Sequence, residues 1–142
     1  MANLSITAGD VAVVKMIDGD TGPAAEAISA GQYVRFNTTN GKVELGKGTS
    51  VAECRPGGVA CNTVTNANEP VTFMRRGVLD VGNALGDMDY DADVWLGDTD
   101  GTLANAADGT KDRKVGHVIP AWGYSTTADK LLRVEVETVT LT

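Results

Sequence analysis

Apolar residues recur along this chain in short runs separated by polar, glycine-rich breaks, and rarely at the three-to-four spacing of a helix. The run DVAVVKMI at 10–17 predicts a first strand, closed by the breakers Asp18-Gly19-Asp20-Thr21-Gly22-Pro23. Residues 24–31, AAEAISAG, carry the only clear helix propensity. Pro23 suits a first turn and Gly31 an end, so one or two helical turns docked on a sheet are expected there. Residues 33–36 and 42–45 are short strands around Asn40-Gly41, a strong hairpin signal. After a loop at 46–50, Pro56-Gly57-Gly58 introduces the short β-type run VACNTV.

The stretch from 69 to 96 reads as a central pair of strands, 71–81 and 93–96, joined by a turn rich in glycine and aspartate. Val71, Phe73, Val78 and Val81 are its expected inward positions. Val71 and Phe73 share a phase that Val78 breaks, which predicts a bulge at Arg75-Arg76-Gly77. A turn at 98–101, a weak strand at 102–107 and a strand at 114–119 stopped by Pro120 follow. The last strand is expected over 131–141, where Leu132, Val134 and Val136 alternate and Val139 and Leu141 fall on the opposite phase. That shift at Glu137-Thr138 predicts a second bulge or a tail leaving the sheet. Val34, Gly41 and Val43 are echoed by Val94, Gly101 and Leu103, and Gly58 by Gly116. Either a duplication or chance similarity of hairpins accounts for the echo; both give an all-β barrel or sandwich.

Composition agrees. With 142 residues, 17 glycines and 5% aromatics, one domain with a core of Val, Leu, Ile and Ala is expected. The net charge of −7 argues against a nucleic-acid-binding surface, which needs clustered Lys and Arg. No apolar run is long enough to span a membrane as a helix. The start, MANLSITAGD, lacks the basic and apolar regions of a signal peptide, so synthesis in the cytosol is expected.

Candidate chemistry is sparse. Asp87, Asp89, Asp91, Asp93, Asp98 and Asp100 form a conspicuous acidic cluster. Their spacing does not complete a calcium loop, and a solvated turn face fits them better. His117 lies in a strand with no nucleophile motif near it, and a sheet-face role is expected. Gly46-Lys47-Gly48-Thr49-Ser50 has the wrong order for a phosphate loop. Cys54 and Cys61 match no zinc spacing and read as ordinary buried or half-buried thiols. Trp122 and Tyr124, after Pro120, either anchor an interface or cap the core. Residues 1–8 form a free arm or an edge strand, in which Leu4 and Ile6 suit strand addition to a neighbour.

The pieces GQYVRFN, GGVACN, VTFMRRGVLDVG, YDADVWLGDTDGTLANA, KVGHVIPAWG and KLLRVEV follow one another between 31 and 136. In that order they resemble the small capsid cement, or decoration, proteins of tailed bacteriophages; the order carries the resemblance more than any one piece. It implies a small β-barrel or β-tulip-like domain over 11–142 with an extended amino-terminal arm over 1–10. It further implies homotrimers on the exterior of the expanded capsid, at local threefold positions, bridging copies of the major capsid protein against the pressure of packaged DNA. Such a virion protein is made in the host cytoplasm. It needs no catalytic residue, cofactor or metal, and contacts neither nucleic acid nor membrane. Leu4 and Ile6 are carried over as capsid contacts, and Trp122 and Tyr124 stand beside them as candidate capsid or protomer contacts. The alternative reading is a calcium- or carbohydrate-binding β module built on the aspartates and Trp122.

Overall fold

The computed structural model describes residues 3–107, 111–124, 126 and 128–139. Its nine strands are β1 (Val11–Pro23), β2 (Tyr33–Phe36), β3 (Val43–Leu45), β4 (Gly58–Ala60), β5 (Pro70–Val81), β6 (Asp93–Leu96), β7 (Leu103–Ala104), β8 (Lys114–Pro120) and β9 (Lys130–Glu135). They form one antiparallel sheet, in the order β3-β2-β4-β5-β9-β8-β6-β7, that curls into a half-barrel. The chain is an all-β, barrel-like domain.

β5 is the hub. One of its edges carries β1 along the whole length, from Pro23↔Pro70 to Val11↔Val81. The other edge is shared: β4 pairs with Phe73 and Met74, and β9 with residues 76–79. The expected bulge lies where β4 hands over to β9. Arg75 is skipped in the ladder with β1, and Gly77, at φ 149°, lets the carbonyl of Lys15 approach where a Cβ would stand 2.2 Å from it. The bulge reverses the side-chain phase: before it Met74 faces the main core and Val71 and Phe73 face away, and after it Leu79 and Val81 face the main core and Val78 faces away, so the four expected inward positions are all buried but do not share one face. β5 is therefore apolar on both sides, beyond the four inward positions its pattern indicates.

Three expectations are corrected. The breaker-rich residues 18–23 do not turn; they continue β1, because β5 offers an uninterrupted ladder. Gly19 makes this possible, since a Cβ there would lie 2.3 Å from the carbonyl oxygen of Phe73. Residues 24–31 are not helical. The amide of Ala25 donates to the carbonyl of Val43, Ile28 bridges Val64, and Ala24 and Ile28 are buried under the sheet. Tertiary pairing outweighs a local propensity worth only about 0.5 kcal/mol per residue. Among the described residues the helical turn lies instead at Ala8–Asp10. Finally, β5 and β6 are not a pair, because β9 and β8 stand between them. The last strand stops at Glu135, and the tail leaves the sheet; Leu141 lies outside the described residues.

The internal echo is accurate in register. Arg35↔Glu44 and Phe36↔Val43 recur as Trp95↔Ala104 and Leu96↔Leu103. Val34↔Gly58 recurs as Val94↔Gly116, and Val59↔Met74 as His117↔Arg133. Both turn glycines, Gly41 and Gly101, sit at φ 71°. Gly58 and Gly116 meet the carbonyls of the counterparts Met74 and Arg133, which a Cβ would approach to 2.3 and 2.0 Å. The two halves are thus four-strand units of matching register.

The halves differ in burial. Tyr33, Val59 and Met74 lie in the main core, whereas their counterparts Asp93, His117 and Arg133 are half-buried on an open face. The first half is covered on its second face by residues 24–30, with Val34, Val43 and Phe73 packed beneath and Phe36 set edge-on to Phe73 at 5.3 Å.

Candidate interaction surface

β1 is 13 residues long and none of them is buried. It pairs with β5 alone, so its outer edge has no strand partner among the described residues. Two bulges shape it: Val14 and Ile17 are extra residues in the ladder opposite Leu79–Val78 and Gly77–Arg76. The bulges break the alternation that would have turned every second side chain inward. Val13, Met16 and Ile17 consequently stand 45%, 41% and 43% exposed. Edge strands are normally blunted by charge, proline or bulges; β1 carries all three devices yet keeps this apolar row.

A second feature adjoins the Val13 end of β1. Val78, Ala128 and Leu131 form a small core cluster on the outer side of the sheet, with Val14, Ile119, Ala121 and Tyr124 half-buried around it. An open groove of about 810 Å³ runs between Ala12, Val13, Val14 and Asp80 on one side and Gly123, Tyr124 and Thr126 on the other. The turn after β8, closed by the Tyr124 amide on the Ala121 carbonyl at 3.1 Å, presents Trp122 at 86% exposure. The two aromatics therefore part company: Tyr124 packs against the small cluster, and Trp122 projects into solvent.

Charges frame the row. Arg75 holds Asp20 at 2.9 Å and Asp18 at 3.7 Å, and its guanidinium lies 5.7 Å from the ring centre of Phe73. These exposed pairs contribute little stability, roughly 0–1 kcal/mol each, but they fix the far end of β1.

Leu4 and Ile6 lie elsewhere, on the β7 side. Asn3 bridges Ala104, the amide of Leu4 donates to the carbonyl of Leu103 at 2.8 Å, and both apolar side chains pack half-buried against the main core. Residues 3–7 thus lie along an edge of their own domain.

The remaining candidates are dispersed. Asp87, Asp89, Asp91, Asp98 and Asp100 are exposed in turns, Asp93 pairs with Lys114 at 2.9 Å, and Asp100 lies 3.7 Å from Lys47. Among the described residues no three His, Cys, Asp or Glu side chains converge as a metal would require. His117 faces the open side of the sheet, between Asp93 and Arg133 in the two ladders. The loop at 46–50 is laced to the body through its own backbone: the Gly48 amide donates to the carbonyl of Gly97, and the Lys111 amide to the carbonyl of Gly48. Its amides do not form an anion cradle. Cys54 is buried and Cys61 half-buried, both as free thiols, and burial pushes the Cys61 thiol up to about 11. No helix among the described residues is long and apolar enough to cross a membrane.

Val13, Met16 and Ile17 are not distinguishable in the sequence from ordinary buried strand residues. The available signal is Lys15 in the middle of the run and Asp18-Gly19-Asp20 after it, a composition suited to an edge strand. Arg113, 1% exposed, is missed altogether; it sits next to the strand pattern of β8 without a partner nearby in sequence. Compared with known proteins, the chain matches no family model and no curated protein.

Proposed function

We propose that this chain is a non-enzymatic virion protein that binds the outer surface of an expanded tailed-phage capsid and reinforces the shell. In this reading it acts as a homotrimer at local threefold positions, bridging copies of the major capsid protein and opposing the pressure of packaged DNA. It is made in the host cytoplasm and ends on the capsid exterior, away from the packaged nucleic acid. The order of short motifs from 31 to 136 motivates the reading. The geometric observation that carries it is the unpaired β1 edge, with Val13, Met16 and Ile17 exposed and Val13 lining the Tyr124 groove.

An exposed strand edge with an apolar row is suited to strand addition by an extended segment of a partner, here a surface loop of the major capsid protein. Many equivalent sites on a symmetric shell then turn weak single contacts into strong overall attachment. A net charge of −7 keeps the protein from adhering to DNA while it accumulates.

The test is to mix purified protein with expanded, undecorated capsids of its own phage and image the particles. Added density at the local threefold positions, with capsids surviving higher temperature, is expected. Bare threefold positions at saturating protein would sink the reading.

A further inference from the structure

The edge of β7 is covered differently from its counterpart in the other half of the sheet. Val43 and Leu103 are equivalent positions, and each carbonyl accepts one hydrogen bond from a covering segment: from the Ala25 amide at 2.8 Å and from the Leu4 amide at 2.8 Å. The cover over Val43 is covalently held between β1 and β2. The cover over Leu103 is the amino-terminal arm, joined to the sheet through the short turn that precedes β1.

The groove beneath the arm is shaped for it. A Cβ on Gly31, at φ 92°, would lie 2.5 Å from Cγ2 of Ile6, and one on Gly97 would lie 3.0 Å from Oδ1 of Asn3. Glycine at these positions makes room for those two side chains. Leu4 and Ile6 then complete the main core, and Ala104 beneath them is fully buried.

The arm keeps solvent on both flanks. Open clefts of about 460 and 240 Å³ border it, the first touching Asn3, Leu4, Ser5 and Thr7 and the second Leu4, Ile6 and Ala8. Asn3, Ser5 and Thr7 are exposed, so Leu4 and Ile6 supply its apolar contacts. Between arm and β1 lies a single 3-10 turn, Ala8–Asp10, whose preceding Thr7 makes no side-chain cap and whose Gly9 has open space around it. Extending that one turn would carry residues 3–7 away from their own groove in line with β1.

A specific groove, an occupant joined to the sheet by one short turn, and a simple hinge are the requirements for exchange of an identical segment between copies. We propose that the groove beside β7 is a strand-exchange site, in which residues 3–7 of a second copy replace the chain's own. Every contact made by the native arm is reproduced by the partner's arm, because the sequences are the same. The exchange concerns copies of this chain only and does not depend on a capsid.

Two full-length variants test it, Asn3→Cys and Ala104→Cys, each with Cys61→Ser and one bearing a mass tag. Positions opposed in an antiparallel bridge lie about 4.5–5.5 Å apart at Cα, within disulfide reach. The two are mixed at rising concentration under mild oxidation and separated without reductant. A disulfide-linked heterodimer whose yield grows with concentration is expected, because the thiol introduced by Ala104→Cys is reached only by an arm lying in the groove. Heterodimer absent at every concentration, with Asn3→Cys linking only to itself, would overturn the exchange. Should Ala104→Cys fail to fold, judged by its circular dichroism, Ser5→Cys and Thr102→Cys, the next outward positions on the two segments, read the same event by the same criterion.

Discussion

Arg113 shows how one side chain can hold separate parts of this molecule. Its guanidinium donates to the carbonyls of Cys54 at 2.6 Å, Glu137 at 2.7 Å and Val139 at 2.9 Å. It thereby ties the 51–54 loop and the departing tail to the start of β8. Arg113→Met removes all three charge-assisted bonds and leaves the buried Cys54 carbonyl unpaired, while the part-buried carbonyls of Glu137 and Val139 turn to water; a loss of about 3 kcal/mol is expected. Chemical denaturation should show it, together with faster amide exchange at 136–139, and an unchanged midpoint would refute the role. Tyr33 is the second such residue. Its hydroxyl donates to the carbonyl of Arg55 at 2.7 Å and accepts from the Gly57 amide at 2.9 Å, and burial pushes its pKa from 10.0 to about 12. The unfolded chain ionises first, so this contribution to stability is complete below pH 10 and is lost as pH rises towards 12. Cys61, raised from 9.0 to about 11, acts in the same direction between those values. Tyr33→Phe is predicted to cost about 1–2 kcal/mol at neutral pH and to flatten the decline above pH 10. Equal alkaline slopes in the two proteins would contradict this.

Among the elements, the repeated unit makes a paired prediction. Gly58→Ala and Gly116→Ala each drive a Cβ into a carbonyl of the neighbouring strand, at 2.3 and 2.0 Å. Both should destabilise severely, by about 3 kcal/mol or more, since neither strand can shift without breaking its ladder. A well-tolerated alanine at either site would show that the match in register is superficial. β1 makes the opposite prediction. Met16→Lys and Ile17→Lys alter exposed side chains, so melting temperature should scarcely move, with stability held within about 0.5 kcal/mol. Capsid binding, measured by cosedimentation, should fall roughly tenfold or more for the pair, as loss of an apolar contact of a few kcal/mol would give; full retention would remove β1 from the interface. The elements were mostly legible in advance: the hairpin around Asn40-Gly41, the bulge near Arg75, and β4, β6 and β8 all follow from alternation and turn chemistry. The errors at 18–23 and 24–31 share one cause. Local breakers and helix formers report the preference of an isolated segment, and both segments lie against a partner far away in sequence that supplies their hydrogen bonds.

For the molecule as a whole, the two apolar features lie in different places: the β1 edge with the Tyr124 groove, and the arm beside β7. Under the proposed function the first faces the shell, and the proposed exchange uses the second between copies. Deleting residues 1–8 should leave a folded chain, because Leu4 and Ile6 are only half-buried, but should lower its stability by about 2 kcal/mol as Leu103 and Ala104 lose their cover. The same deletion is expected to weaken attachment to capsids, read as lower occupancy in images of decorated particles. Wild-type occupancy with the truncated protein would count against the arm as a capsid or protomer contact.

Strand identity, the positions of turns and the all-β class follow from period-two alternation, glycine, and Asn-Gly, because these act over a few neighbouring residues. Which strands meet does not, since pairing depends on partners far away in the chain, as between Arg76 and Glu135. The same holds for the surface. Val13, Met16 and Ile17 have the chemistry of core residues, and it is the bulged register of β1 on β5, at an edge with no further strand among the described residues, that leaves them exposed. Conversely, Leu4 and Ile6 read as free for a neighbour, and only the folded sheet provides the groove in which they lie.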